Sequence, residues 1–176
     1  GFRGNTAPMT IAGTVKQVSG NSGNTTANEL YLGGTMDSST NIVSGLIKNP
    51  DDYPANPLAQ PLKVTINCSD TYAGTQDSTW ELSNTNTYSG GTTINRGKLH
   101  ASATNALGVG DVTITHTSAD LIINSEGAMA STATLTLLNN TTETLTLNTD
   151  LTVGALFLGT TPQANGEYTS SEAWLG

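Results

Sequence analysis

Short alternating runs recur along the whole chain, and they set its secondary structure. Lys63-Val64-Thr65-Ile66-Asn67 places Val64 and Ile66 on one face. Asp111-Val112-Thr113-Ile114-Thr115 repeats the pattern, as do Leu121 and Ile123. Thr134-Leu135-Thr136-Leu137 and Thr144-Leu145-Thr146-Leu147 are near copies of each other. In each run the aliphatic side predicts a core face and the threonine side a solvent face. Turn clusters at 20–24, 33–34, 89–91, 108–110, 139–140 and 165–166 separate the runs. No stretch carries apolar residues at i, i+3, i+4 and i+7, so no helix is predicted. The predicted interior comprises Val64, Ile66, Trp80, Leu82, Ile94, Leu99, Val112, Ile114, Leu121, Ile123, Leu135, Leu137, Leu145, Leu147 and Val153.

Strands that return about every 8 to 14 residues suit either a β-sandwich or a β-solenoid. Composition favours the solenoid. Aromatics are 5% and charged residues 11%, about half the usual charged share, which is sparse for a sandwich of this size. Thr, Gly, Asn and Ser together supply 82 of the 176 residues, Thr alone 31. Stacked rungs repeat such small residues at strands, bends and corners at low cost. The expectation is one all-β domain over residues 1–176, a right-handed parallel β-helix, with a β-sandwich as the alternative. The proline-rich stretch 49–61 is expected to project as a loop with Asp51, Asp52 and Tyr53 at its tip, because proline withholds ladder donors.

Charge narrows the partners. Six Lys and Arg against 14 Asp and Glu give a net −8, which repels phosphate backbones and anionic bilayers, so neither nucleic acid nor membrane insertion is expected. The apolar runs fall far short of the roughly 20 residues of a spanning helix. With no basic stretch leading into an apolar one at the start, a signal peptide is expected to have been removed or to lie outside this chain. Cys68 is the single cysteine and reads as a small buried hydrophobe, with an intermolecular disulfide as the sharper alternative.

Residues 78–110 read STWELSNTNTYSGGTTINRGKLHASATNALGVG. This segment resembles the passenger-associated strand repeat of autotransporters and related secreted bacterial surface proteins. Trp80, Leu82, Asn86, Thr87, Tyr88, Gly90, Gly91, Thr92, Thr93, Ile94, Asn95, Gly97 and Leu99 follow that pattern in order, then Ala106-Leu107-Gly108 and Gly110. Arg96 and Lys98 depart from it. The match covers about a fifth of the chain. Looser similarity runs through 145–176, to the segment that follows such repeats, and through 41–47, to the rung that precedes them. The resemblance implies a right-handed parallel β-helix exported to the cell exterior and implies no activity, since the repeat is a scaffold. Positive-φ corners are expected at Gly90-Gly91 and Gly97, and Tyr88 is expected on the outer wall or at a corner.

Chemistry-bearing groups are few. No nucleophile elbow, phosphate-binding glycine loop, calcium loop or paired metal-binding histidines is found. His100 and His116 read as solvated surface histidines rather than a metal pair. Asp111 and Asp120 near His116, and Arg96 and Lys98 near His100, are the only neighbours that acid–base chemistry would use. Chance accounts for such neighbours. Asp51 and Asp52 read as a solvated acidic tip, short of the six to eight oxygens calcium takes. Asn24, Asn67 and Asn140 begin formal sequons, which mean little in a bacterial protein. No catalytic, cofactor-binding or metal residue is assigned, and no enzyme activity or cofactor is expected.

The expected function is an extracellular structural subunit that assembles into a surface filament, fibre or matrix. Copies would associate head to tail, by rung stacking or by strand exchange through residues 1–18, over about eight rungs. A monomeric adhesin or glycan-binding module on the same scaffold is the alternative, with cell-surface glycans as partners. A β-helical polysaccharide lyase or glycosidase stands third.

Overall fold

The computed structural model describes residues 2–4, 7–17, 28–34, 39–56, 59–68, 78–138 and 144–164. These residues hold no helix and thirteen strands. They are β1 (Phe2–Gly4), β2 (Thr10–Ile11), β3 (Asn28–Gly34), β4 (Thr40–Val43), β5 (Leu62–Asn67), β6 (Thr79–Leu82) and β7 (Thr92–Ala101). Then come β8 (Val112–Ile114), β9 (Ala119–Ile123), β10 (Thr134–Leu137), β11 (Thr144–Leu147), β12 (Ala155–Leu158) and β13 (Thr161–Pro162).

The strands pair into two ladders. The first runs β1-β3-β5-β7-β8-β10-β12-β13, and the second runs β2-β4-β6-β7-β9-β11. Every pair is parallel except β12–β13, whose pairing is antiparallel. The chain is therefore all-β and mostly parallel, unlike an antiparallel sandwich with Greek-key connections. Among the described residues, seven parallel strands stack in one ladder and six in the other. The turns of chain are unequal: Leu30 faces Val64, 34 residues on, whereas Thr93 faces Thr113, 20 residues on.

β7 belongs to both ladders. Thr92, Thr93 and Ile94 pair with β8, while Gly97 to Ala101 pair with β9. The chain turns at Gly97, where φ is 91°, in the region that L residues disfavour. A Cβ at Gly97 would also stand 2.5 Å from Cys68 Sγ. Gly91, with φ 87°, makes the corner before β7, as its motif position implied.

The aliphatic positions align in columns between the ladders. Asn41, Trp80, Leu99, Leu121 and Leu145 are successive register partners, as are Ile11, Val43, Leu82, Ala101, Ile123 and Leu147. Thirteen of the fifteen predicted interior positions are at most 5% exposed. The two departures share one cause. Leu147 is 39% exposed and Val153 is only partly buried, because they lie at the last level, where no further described strand stacks on β11. Alternation predicts which face a residue occupies; burial also requires a neighbouring rung.

Tyr88 departs in the opposite sense. It is fully buried, not on the outer wall, and its hydroxyl sits 2.6 Å from Thr92 Oγ1. Two asparagines lie in the core as well. Asn41 Oδ1 accepts from Met9 N at 3.0 Å and its Nδ2 donates to Thr79 O at 3.2 Å. Asn86 Oδ1 accepts from Ile47 N at 2.8 Å and its Nδ2 donates to Ala106 O at 2.7 Å. Each amide thus ties three successive levels and satisfies backbone groups that strand pairing leaves over.

Candidate functional site

The ladders bring together charged residues that lie far apart in sequence. Glu81 of β6 is the register partner of His100 in β7, and His100 is the partner of Ile122 in β9. Lys98 faces Asp120 in the same way, with Lys98 Nζ 3.4 Å from Asp120 Oδ2. Glu81, Lys98, His100 and Asp120 therefore share one face, since side chains two apart on a strand point the same way. Burial holds the His100 pKa below that of free imidazole, with Glu81 opposing and Lys98 adding to the depression. The Lys98 side chain is 53% exposed, so its ion pair is of the screened surface kind. This face holds an acid, a base and an ion pair on strand surface.

Of the sequence neighbours, Lys98 and His100 share that face, whereas Asp111, His116 and Asp120 each take separate local partners. Asp111 Oδ1 accepts the Thr134 amide at 2.7 Å and its carbonyl accepts the Thr92 amide at 2.8 Å, so Asp111 staples adjacent levels of the first ladder. His116 occupies the exposed turn between β8 and β9, where its Nδ1 accepts from Ser118 N at 3.0 Å. Asp120 stands on the second ladder beside Lys98. His100 and His116 are on different elements, His100 mid-strand and His116 in a turn. Arg96 lies at a bulge in the β5–β7 pairing, opposite Asn67. Among the described residues no group of three or more His, Cys, Asp or Glu is placed to hold a metal.

In the loop 49–61 Asp51 is exposed, as expected of a solvated tip, and is also paired with two lysines. Asp51 bonds Lys16 Nζ through Oδ2 and Lys48 Nζ, at 2.5 Å, through Oδ1. The two ammonium groups hold its carboxyl down to about 2. Asp51 thereby fastens the loop to both Lys16, next to the Val15–Ile47 bridge, and Lys48 beyond it. Asp52 Oδ2 accepts from Asn56 Nδ2 at 2.7 Å, closing the turn on itself. Nearby, Val15, Lys16, Gln17, Asn28, Glu29, Leu30 and Leu62 line a recess of about 410 Å³. Cys68 is fully buried, its Sγ 3.0 Å from Ser78 Oγ. Of the sequons, Asn67 lies in β5, and Asn24 and Asn140 are outside the described residues.

Glu81 escaped the sequence reading, which compared charged residues by proximity along the chain. The signal was present as spacing: Glu81, His100, Ile122 and Thr146 are consecutive partners at intervals near one turn of chain.

The last feature is the pair of ladder ends. Among the described residues, β2 pairs only with β4 and β11 only with β9, so each has one edge without a partner strand. Leu147 stands at the β11 end of the column that Ile11 begins. Val153, Leu156 and Leu158, half-buried, pack against the core at that level. No family profile matches the chain, and no curated protein or solved structure matches it significantly.

Proposed function

We propose that this chain is a structural module of a secreted bacterial surface protein, a right-handed parallel β-helix whose copies associate end to end into a filament. The observation that carries the reading is the apolar column from Ile11 to Leu147, continuous through six levels and 39% exposed at its last residue. Exposed apolar surface at a ladder end, beside unpaired backbone groups, is a template for another strand. The two ladders joined through one bent strand support the helical winding, and the strand-repeat resemblance at 78–110 supports export. Nothing in the charged face favours turnover: its ion pair is surface-exposed and Asp111, His116 and Asp120 serve separate local roles.

Of the two modes of association, stacking fits better than strand exchange. β1 and β2 already pair with β3 and β4 of their own chain, and exchange would break those pairings. The net charge of −8 opposes lateral aggregation and is screened by salt, so elongation should quicken as ionic strength rises from about 0.01 M to 0.15 M.

A second reading, a glycan-binding module, has one observation in its favour. Tyr31, 45% exposed, heads the register column Tyr31, Thr65, Thr93, Thr113, Thr136 and Phe157. Sedimentation velocity and negative-stain microscopy of the full chain across a concentration series decide between the readings. Concentration-dependent filaments support the structural role. A monomer that binds a glycan panel supports the adhesin, and turnover of a polysaccharide lost in D111A/H116A/D120A would establish the enzyme.

A further inference from the structure

The start of β3 joins the recess to an exposed aromatic ring. The recess, about 410 Å³, has Val15, Leu30 and Leu62 as its apolar lining and Gln17, Asn28 and Glu29 among its polar lining. That size lies within the range of small-ligand sites. Tyr31 stands two residues beyond Glu29 on the same outward face of β3 and is 45% exposed. Its hydroxyl donates to the Glu29 carboxylate. Thr65, the register partner of Tyr31, donates to Glu29 Oε1 as well, and Lys63 Nζ stands 3.7 Å from the same oxygen. Glu29 thus tethers the ring of Tyr31 to the lining of the recess, which orders both before a ligand arrives.

Charge narrows the ligand. Lys16 and Lys48 bond Asp51, and Lys63 faces Glu29, so each of these three lysines already meets a carboxylate. Residues 1–67 hold four basic and four acidic side chains, and the net −8 falls wholly on residues 68–176. A sulfated or uronic acid chain would find the three lysines paired and the rest of the molecule repulsive. A neutral sugar suits the site better. Its C–H-rich face fits the negative face of an aromatic ring and an apolar wall. Its hydroxyls need fixed donors and acceptors. Glu29 supplies acceptors and Gln17 both kinds, while Asn28, whose Nδ2 donates to Gln60 O at 3.0 Å, offers its Oδ1.

We propose that the recess at the start of β3 and the adjoining Tyr31 ring bind a neutral polysaccharide chain. One sugar stacks on Tyr31, and its neighbour in the chain sits against Gln17, Asn28 and Glu29. This rests on the glycan-binding reading above and names its site and ligand class. It requires no contact between copies, so it holds for a single chain and for an assembled one.

Isothermal titration of the full chain with cellohexaose, maltohexaose, chitohexaose and, as the anionic probe, hexagalacturonate tests the site. At least one neutral hexasaccharide should bind, more tightly than hexagalacturonate. Tyr31→Ala should weaken that binding about tenfold or more, and Tyr31→Phe, which keeps the ring and loses the tether, only about two- to fourfold. Gln17→Ala, which leaves the tether intact, should weaken it as well. Thr146→Ala, on the second ladder, should leave it unchanged. Tyr31 is exposed, so its variants should keep the wild-type melting temperature, and a matching melt shows that any loss of binding is local. Equal affinity of wild type, Tyr31→Ala and Gln17→Ala for a neutral hexasaccharide would place the glycan elsewhere, overturning the site while the glycan-binding reading stands. Tighter binding of hexagalacturonate than of every neutral probe would overturn the ligand class. Binding of none of the four, even at millimolar concentration, would overturn the inference and the glycan-binding reading together.

Discussion

The Tyr88 hydroxyl lies 2.6 Å from Thr92 Oγ1, and Thr92 Oγ1 donates onward to Leu107 O at 3.0 Å. With its own hydrogen committed to the carbonyl, Thr92 accepts from Tyr88. Both residues are buried. Thr92→Val therefore leaves a phenol without its partner and should cost about 1–3 kcal/mol in urea unfolding, whereas Tyr88→Phe should cost about 1 kcal/mol. The double variant should lose less than the sum of the two. Burial raises the Tyr88 pKa well above the usual phenol range. The folded state thus holds the phenol proton more tightly than the unfolded state. That contribution is fully present below the unfolded pKa near 10 and is lost as pH rises beyond it. A phenolate absorbance titration should show Tyr88 ionising only with unfolding.

Asn86 links levels that strands do not connect at that corner. Replacing it with Ala strands the Ile47 amide and the Ala106 carbonyl, at a cost of about 2–4 kcal/mol. Asn86→Asp keeps the acceptor for Ile47 but cannot donate to Ala106. Its unfolding midpoint should fall further as pH rises and the carboxyl ionises. A pH-independent loss in N86D would contradict the bonding described.

Asp51 ties the proline-rich loop to Lys16 and Lys48. Its carboxyl pKa is depressed to about 2, so the favourable contribution is present above the unfolded value near 3.9 and is lost as pH falls toward 2. Hydrogen exchange at Val15 and Lys48, which bond Leu46 O and Val15 O, should therefore accelerate between pH 4 and pH 2 more than exchange in β9. Asp51→Asn should show the faster exchange already at pH 7, and salt should narrow the difference. Equal exchange in D51N and wild type would contradict a fastening role.

Leu121 and Leu147 have the same place in the alternation but not the same surroundings. Leu121→Ala should cost about 2–5 kcal/mol, because Leu121 is fully enclosed. Leu147→Ala should cost about 1 kcal/mol or less in the monomer, since Leu147 is already 39% exposed. Thr113→Ala, on the other face, should change stability by about 0.5 kcal/mol at most. Comparable losses at all three positions would refute the assignment of faces and of the terminal level.

The contrast between those leucines also marks what the residue pattern could convey. Alternation and β-branching identified the strands and most of the interior, because a period of two follows from strand geometry alone. The register was harder to read, since it depends on turns that range from Thr93–Thr113 to the much longer Leu30–Val64. Glu81 and His100 became neighbours only once that register was known. Tyr88 is expected on the outer wall or at a corner, its hydroxyl free to find a partner; it is buried, and Thr92 supplies that partner inside the core. Asn41 and Asn86 carried no hydrophobic signal and are buried because the backbone groups around them need both a donor and an acceptor.

Fibre diffraction from aligned assemblies of the full chain tests the central claim most directly. Copies joined rung on rung place every strand across the filament axis, which predicts a meridional reflection near 4.8 Å from filaments one chain wide. Filaments whose strands run along the axis, or a chain that remains monomeric at every concentration, would contradict the account.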